Sequence, residues 1–172
     1  MRLNLGCCDR HRHGWVNVDI VPPADQIADL RQPWPWPDSS VDAIVAHDLI
    51  EHIPAEILRV TKHDGVVVDV YMENGRIFLM NEAWRVLKPG GTFEIIVPSA
   101  SRGAGFVQDL THKSQWCLNS FQYVTAGKFA HTRLARPYGI TAAFRVIRLD
   151  EQEVRDEYEA VWKITAILEA VK

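Results

Sequence analysis

The chain has too few cysteines, too little basic charge and too short an apolar stretch for several common classes of protein. Three cysteines among 172 residues give no even disulfide framework, and adjacent Cys7 and Cys8 could pair only with strain. A reducing, cytoplasmic setting is therefore expected. No run approaches the roughly 18 apolar residues of a membrane span. The opening Met1-Arg2-Leu3-Asn4-Leu5-Gly6 reaches a glycine before any apolar segment of signal-peptide length, so neither a leader nor membrane association is expected. Lysine and arginine number 19 against 22 aspartates and glutamates, a formal net charge of −3. A dedicated nucleic-acid binder usually carries the opposite balance. Internal repeats, low-complexity segments and the glycine triplet of a dinucleotide-binding turn are also missing.

What remains is ordinary globular usage, 47% apolar and 24% charged, in a length that suits one domain spanning residues 1–172. Strands are expected at Arg2 to Leu5, at Trp15 to Ile20 with its β-branched Val16, Val18 and Ile20, and briefly at Gln26 to Leu30. The prolines of Trp34-Pro35-Trp36-Pro37 forbid a regular element there, and both tryptophans read as packing residues. Val41 to Ala46 is a fourth strand. Ile77, Met80, Trp84 and Leu87 recur at helical spacing with the Trp84 side toward the core, and Lys88-Pro89-Gly90-Gly91 is the stop. Phe93 to Val97 reads as a strand covered on both faces. Strands separated by connections too long for hairpins imply a mostly parallel α/β sheet. Between the fourth strand and the helix, the turn signals Asp64-Gly65 and Asn74-Gly75 flank the β-rich run Val66 to Tyr71, which reads as an inserted β-hairpin around 55–76. Near the end, Trp162, Ile164, Ala166 and Leu168 alternate as in a strand, while Tyr158, Trp162 and Thr165 also fit a helix.

The first forty residues hold a ligand-binding pattern. A strand ending in Gly6 leaves free backbone N–H groups at the carboxyl edge of a parallel sheet, and Asp19 at the end of the next strand can accept from both hydroxyls of a ribose. Asp19 follows Gly6 more closely than the roughly 20 residues of a dinucleotide fingerprint. By itself the pair is also compatible with a tight structural turn and a surface aspartate.

Five segments, LNLGCC, GWVNVDI, IADLRQPWPWPDSSVDAIVAHDLIEHIP, NEAWRVLKPGG and EIIVPS, occur in this order and cover most of residues 3–99. Together they resemble the short class I S-adenosylmethionine (SAM)-dependent methyltransferases of the type 11-like group. The resemblance implies a Rossmann-like sheet of seven strands whose last strand, Val161–Val171, is antiparallel and preceded by Ala143–Leu149. It implies SAM as cofactor. Asn4, Gly6, Cys7 and Cys8 would lie under its methionine and ribose, and Asp19 would bind the ribose hydroxyls. Asp29 and Leu30 would flank the adenine, with His47 and Asp48 beside the sulfonium end. Two positions depart from the family: Cys8 replaces a usual glycine, and Asn4 replaces a frequent acid, so SAM binding is expected to be weaker rather than lost.

The segment QDLTHKSQW at 108–116 resembles a loop after the fifth strand of the same proteins. There His112 and Asp109 are the candidate catalytic groups, able to take a proton from a hydroxyl or amine, and Thr111 and Trp116 the candidate substrate contacts. Residues 100–135, with Gly103 and Gly105, would form a mobile wall facing the acceptor. The alternative is an ordinary packed loop with Trp116 in the core and His112 incidental. The leading reaction is methyl transfer to a hydroxyl or amine of a small molecule or sugar. A SAM-binding module without catalysis, a methyltransferase acting on a macromolecule and a nicotinamide-dependent oxidoreductase are the competing classes, the last disfavoured by the missing glycines. Nucleic acid is a disfavoured partner, since neither an Asn/Asp-Pro-Pro-aromatic motif nor a Pro-Cys pair is present, and a homodimer is compatible with the composition. Cys7, Cys8, His11 and His13 fit no standard zinc spacing, so no metal site is expected. Glu51-His52 reads as a helix-start pairing.

Overall fold

The computed structural model describes residues 1–155 and 160–172. Strands β1 (Arg2–Leu5), β2 (Val16–Asp19), β3 (Gln26–Ile27), β4 (Val41–His47), β7 (Leu87–Pro98), β8 (Phe144–Arg155) and β9 (Ala160–Ala170) form one seven-stranded sheet in the order β3-β2-β1-β4-β7-β9-β8. The first five in that order run parallel, and β9 pairs antiparallel with both β7 and β8. Strand order reverses between β1 and β4, the point at which open α/β sheets bind ligands. The ambiguous C-terminal segment is a strand because its alternate side chains Ile164, Ala166 and Leu168 enter the core fully buried. Tyr158, which favoured a helix, lies outside the described residues.

Cross-strand register divides the sheet into two unlike faces. Leu3, Ile44, Phe93 and Leu168 stand side by side across β1, β4, β7 and β9, and Leu5, Ala46, Ile95 and Ala166 form the next row. All eight are at most 1% exposed. On the opposite face the corresponding row is Asn17, Asn4, Val45, Glu94, Ile167 and Arg148. The inner face is covered by helix α1 (Gly75–Val86), by Trp34 and Trp36, and by the segment after β7 that carries Trp116 and Phe121. The outer face has no helix among the described residues, because the links β1–β2, β2–β3 and β3–β4 contain none. This corrects the expectation for Phe93 to Val97: Phe93, Ile95 and Val97 are buried, whereas Glu94 and Ile96 are only half-buried.

The inserted hairpin is present as β5 (Glu56–His63) and β6 (Val66–Asn74), a separate two-stranded antiparallel sheet turning at Asp64-Gly65. Asn74-Gly75 is not a second turn. Asn74 caps α1, its Oδ1 accepting from the amides of Arg76 and Ile77 at 3.1 Å each. Helix α1 buries Leu79, Met80, Ala83 and Val86, and Ile77 and Trp84 pack partly buried against the same core. Trp84 is half-buried, with its indole N–H donating to the Val171 carbonyl at 2.9 Å. Among the described residues no helix is long and apolar enough to cross a membrane.

Candidate functional site

The carboxyl ends of β1, β2 and β4 open into a cleft of about 370 Å³, a size suited to a cofactor or drug-sized ligand. Gly6 forms its floor. Its φ of +62° suits glycine, and a Cβ there would stand 2.8 Å from Cδ1 of Leu49. Cys8 also lines the cleft in a left-handed conformation, φ 45°, which accounts for the glycine usual at that position in the resembled family. The Cys8 amide donates to Oδ2 of Asp19 at 2.9 Å, and the Ile20 amide donates to Oδ1 at 2.7 Å. Those two bonds fix the carboxylate at the end of β2 and leave lone pairs on both oxygens for a ligand's hydroxyls.

Asp29, Leu30 and Asp48 border the same cleft. Asp29 is clamped by Nε and Nη2 of Arg31 at 2.8 Å each, which holds its carboxyl below the usual carboxylate range. Asp48, φ 50°, is held by Nζ of Lys163 at 2.8 and 2.9 Å, with Arg10 at 3.5 Å. Leu30, Ile20, Ala28 and Ile53 supply apolar wall between these charges. Sequence reasoning missed Arg10, Arg31, Leu49, His52 and Lys163. Lys163 comes from a strand 115 residues away, so no local pattern could have pointed to it.

Three other expected cofactor residues do not border the cleft. Asn4 lies on the outer face, donating from Nδ2 to the Arg10 carbonyl and to Oδ1 of Asn17 at 2.9 Å each; it holds the 7–15 connection in place. His47 also projects outward, with Nε2 2.6 Å from Oε1 of Glu94. Cys7 turns into the core, 1% exposed, where burial and the neighbouring Asp19 raise its thiol pKa. The motif brings all three backbones to the rim, but strand alternation and the turn after Gly6 send their side chains elsewhere.

Beside the cleft, the short 3-10 helix Ile50–His52 meets the 109–116 loop. The amides of Lys113 and Ser114 donate to the Glu51 carbonyl at 2.7 and 2.9 Å, and Ser114 Oγ donates to the Ile50 carbonyl at 3.1 Å. Asp109, Thr111 and His112 are brought together here: Thr111 Oγ1 donates to Asp109 Oδ1 at 2.6 Å, and His112 Nε2 is 3.5 Å from Asp109 Oδ2. His52 links them to the cleft, since it lines the cleft and packs edge-on against His112 with ring centroids 4.9 Å apart. Trp116 lies apart from these three. Its side chain is 3% exposed, donates to Ser114 Oγ at 3.1 Å and faces a second cavity of about 340 Å³ shared with Met80 and Ile140, away from the cofactor cleft. Gly103 and Gly105 pack closely against β9: a Cβ on Gly105 would overlap Cγ1 of Val161 at 2.3 Å, and one on Gly103 would stand 3.2 Å from Cδ1 of Trp162.

Glu51 is the residue the sequence concealed. It is 0% exposed, and among the described residues its two oxygens are the only buried side-chain oxygens without a hydrogen-bond partner. Burial, aided by the negative charges of Asp48 and Asp109, pushes its carboxyl up to about 8 against a weaker pull from its own amide and Lys163. The available signal was an acid enclosed by Leu49, Ile50 and Ile53, too apolar a setting for a solvated helix start.

No family model matches the chain, and no curated protein matches it. Solved structures do. A Bacillus halodurans protein provisionally described as a methyltransferase superposes with a TM-score of 0.60 at 12% identity, over 99% of this chain and 92% of its own. The Burkholderia thailandensis 1,6-didemethyltoxoflavin-N1-methyltransferase, solved with its substrate and S-adenosylhomocysteine, gives 0.55 at 11% identity over 99% and 71%. The (4+2)-cyclase SpnF gives 0.54 at 12% identity over 99% and 74%. The chain has the Rossmann-like fold of class I methyltransferases.

Proposed function

We propose that this protein binds SAM in the cleft at the ends of β1, β2 and β4 and transfers its methyl group to a hydroxyl or amine of a small-molecule or sugar acceptor. The supporting observation is the placement of Asp19: a carboxylate fixed by two backbone amides at the rim, opposite Gly6 and next to the apolar wall of Leu30 and Ala28. That arrangement suits a ribose with an adenine beside it, and Asp29 adds a second acceptor near the base. Methyl transfer from a sulfonium has a neutral leaving group, so holding the acceptor in line is the main requirement, and proximity can supply about 7–11 kcal/mol. In this reading Asp109 or His112, packed behind His52 beside the cleft, would receive the acceptor's proton. The three free cysteines fit a reducing cytoplasm.

Calorimetric titration with SAM and with S-adenosylhomocysteine tests the binding half. Asp19→Ala is expected to weaken both by roughly tenfold to a hundredfold, the range of a hydrogen bond to a charged group. Equal affinity in the two proteins would remove Asp19 from the site. A methyl-transfer screen over sugars, small amines and nucleosides tests the second half separately, since the fold also serves a cyclase.

A further inference from the structure

We propose that Glu51, His52 and His112 form a binding site for one divalent first-row metal ion, of the zinc type, at the acceptor side of the cleft. One ligand atom from each of the three side chains lies within 4.8 Å of the others, and no other such grouping of three exists among the described residues. In particular, Cys7, Cys8, His11 and His13 do not converge.

The side chains are prepared for coordination in three ways. His112 Nδ1 is 2.9 Å from the Phe106 carbonyl, which can only accept, so Nδ1 carries the proton and Nε2 is left with its lone pair. His52 Nδ1 likewise donates toward the Thr111 carbonyl at 3.3 Å, leaving its own Nε2 bare. Backbone carbonyls on the far nitrogen orient imidazoles that ligate metals and raise their basicity. Glu51 is the third. An enclosed carboxylate with both oxygens unpartnered is costly to leave unsatisfied, and its Oε1 is 3.9 Å from His112 Nε2. A cation between them would satisfy both. Two imidazoles and one carboxylate are a donor set for zinc or ferrous iron rather than magnesium, which prefers oxygen ligands and retains water. Asp109 Oδ2, 3.5 Å from His112 Nε2, stands ready as a fourth ligand or as acceptor from a metal-bound water.

The site is anchored where ligand geometry needs it. Glu51 and His52 share one 3-10 turn, His112 comes from the facing loop, and the two backbone bonds from Lys113 and Ser114 to Glu51 fasten turn to loop. Because His52 also lines the cleft, an ion here could hold an acceptor's oxygen beside the donor. That role rests on the methyl-transfer reading; the metal site itself does not.

The test is titration of the metal-free full chain with Zn²⁺ in competition with a chromogenic chelator. One tight site per chain is expected, weakened at least about tenfold by Glu51→Gln, His112→Ala or His52→Ala. His52 is partly exposed, so its variant decides the matter if the buried substitutions prevent folding. His63→Ala, at an exposed turn, and Cys8→Ser should leave the affinity unchanged, and Mg²⁺ should not compete. Absence of a tight site, affinity insensitive to Glu51, His52 and His112, or affinity lost with Cys8→Ser would each overturn the proposal. SAM titration is read independently: tight zinc with no SAM binding would remove the donor reading and keep the metal site, and the reverse result would do the opposite.

Discussion

On the inner face of the seven-stranded sheet Phe93, Ile95 and Val97 are fully enclosed, while on the outer face their neighbours Glu94 and Ile96 stay in contact with solvent. Both faces are made by the same strands, and the difference lies in what the connections bring. Parallel α/β sheets usually have helices on both sides. Here the links before β2, β3 and β4 carry no helix, and the 7–15 segment bonds to the outer face at its Asn4-Asn17 end. The sequence accommodates this with paired polar groups: His47 with Glu94, Arg148 with Asp150, and Arg145 with Glu169. Losing a helical layer thus requires polar residues at alternate strand positions, and the ligand cleft survives because its residues sit at strand ends rather than on the bare face.

The contrast can be broken by mutation. The largest effect should come from Phe93→Ala, which opens a cavity at the centre of the inner face. A loss of about 3–5 kcal/mol in unfolding free energy is expected, against less than about 1 kcal/mol for Ile96→Ala next to it. Comparable losses in chemical denaturation would mean that something covers the outer face in solution.

A second comparison concerns charge. The outer carboxylates are wet and paired, whereas Glu51 is enclosed. In the metal-free protein the folded state keeps the Glu51 proton up to about 8, and the unfolded chain releases it near 4.5, the ordinary value of a glutamate. Between these values the folded state binds more protons, so stability falls as pH rises through the window and levels off above it. The expected decline is on the order of a few kcal/mol between about pH 5 and pH 8. Glu51→Gln should flatten it, and an unchanged slope in denaturant midpoints would show that Glu51 is not the group responsible.

Smaller effects belong to the outer face. Asn17 bonds Asn4, the amide of Arg12 and Asp25, so Asn17→Ala should cost about 1–3 kcal/mol and increase hydrogen exchange across residues 7–15. Smallest of all is Glu94→Gln. Its pair with His47 is partly exposed, and thermal melts should shift by no more than about 1 kcal/mol equivalent, less at high salt.

Much of this was legible along the chain. The early strand positions, the inserted hairpin and the placement of Gly6 and Asp19 at one edge follow from local periodicity and turn signals, whereas the antiparallel end of the sheet and the place of Asp29 and Leu30 come from the resemblance to the methyltransferase family. Boundaries drifted where burial ended early: Ile20 leaves β2 because it is exposed, and Ala28 to Leu30 leave β3 to line the cleft. The Asn74-Gly75 pair read as a turn because a helix cap and a turn use the same side-chain acceptor, and only the residues that follow separate them.

The amino-acid sequence alone thus determined most of the strands and placed Gly6 and Asp19 at the rim, since alternation and turns act over a few neighbours. Tertiary structure decided which way side chains faced and what they met. Trp116 became core and Glu51 became an enclosed acid because segments distant in sequence folded over them, and Lys163 reached Asp48 from the far end of the chain. Desolvation and long-range pairing depend on the whole packed molecule, so no local pattern carries them.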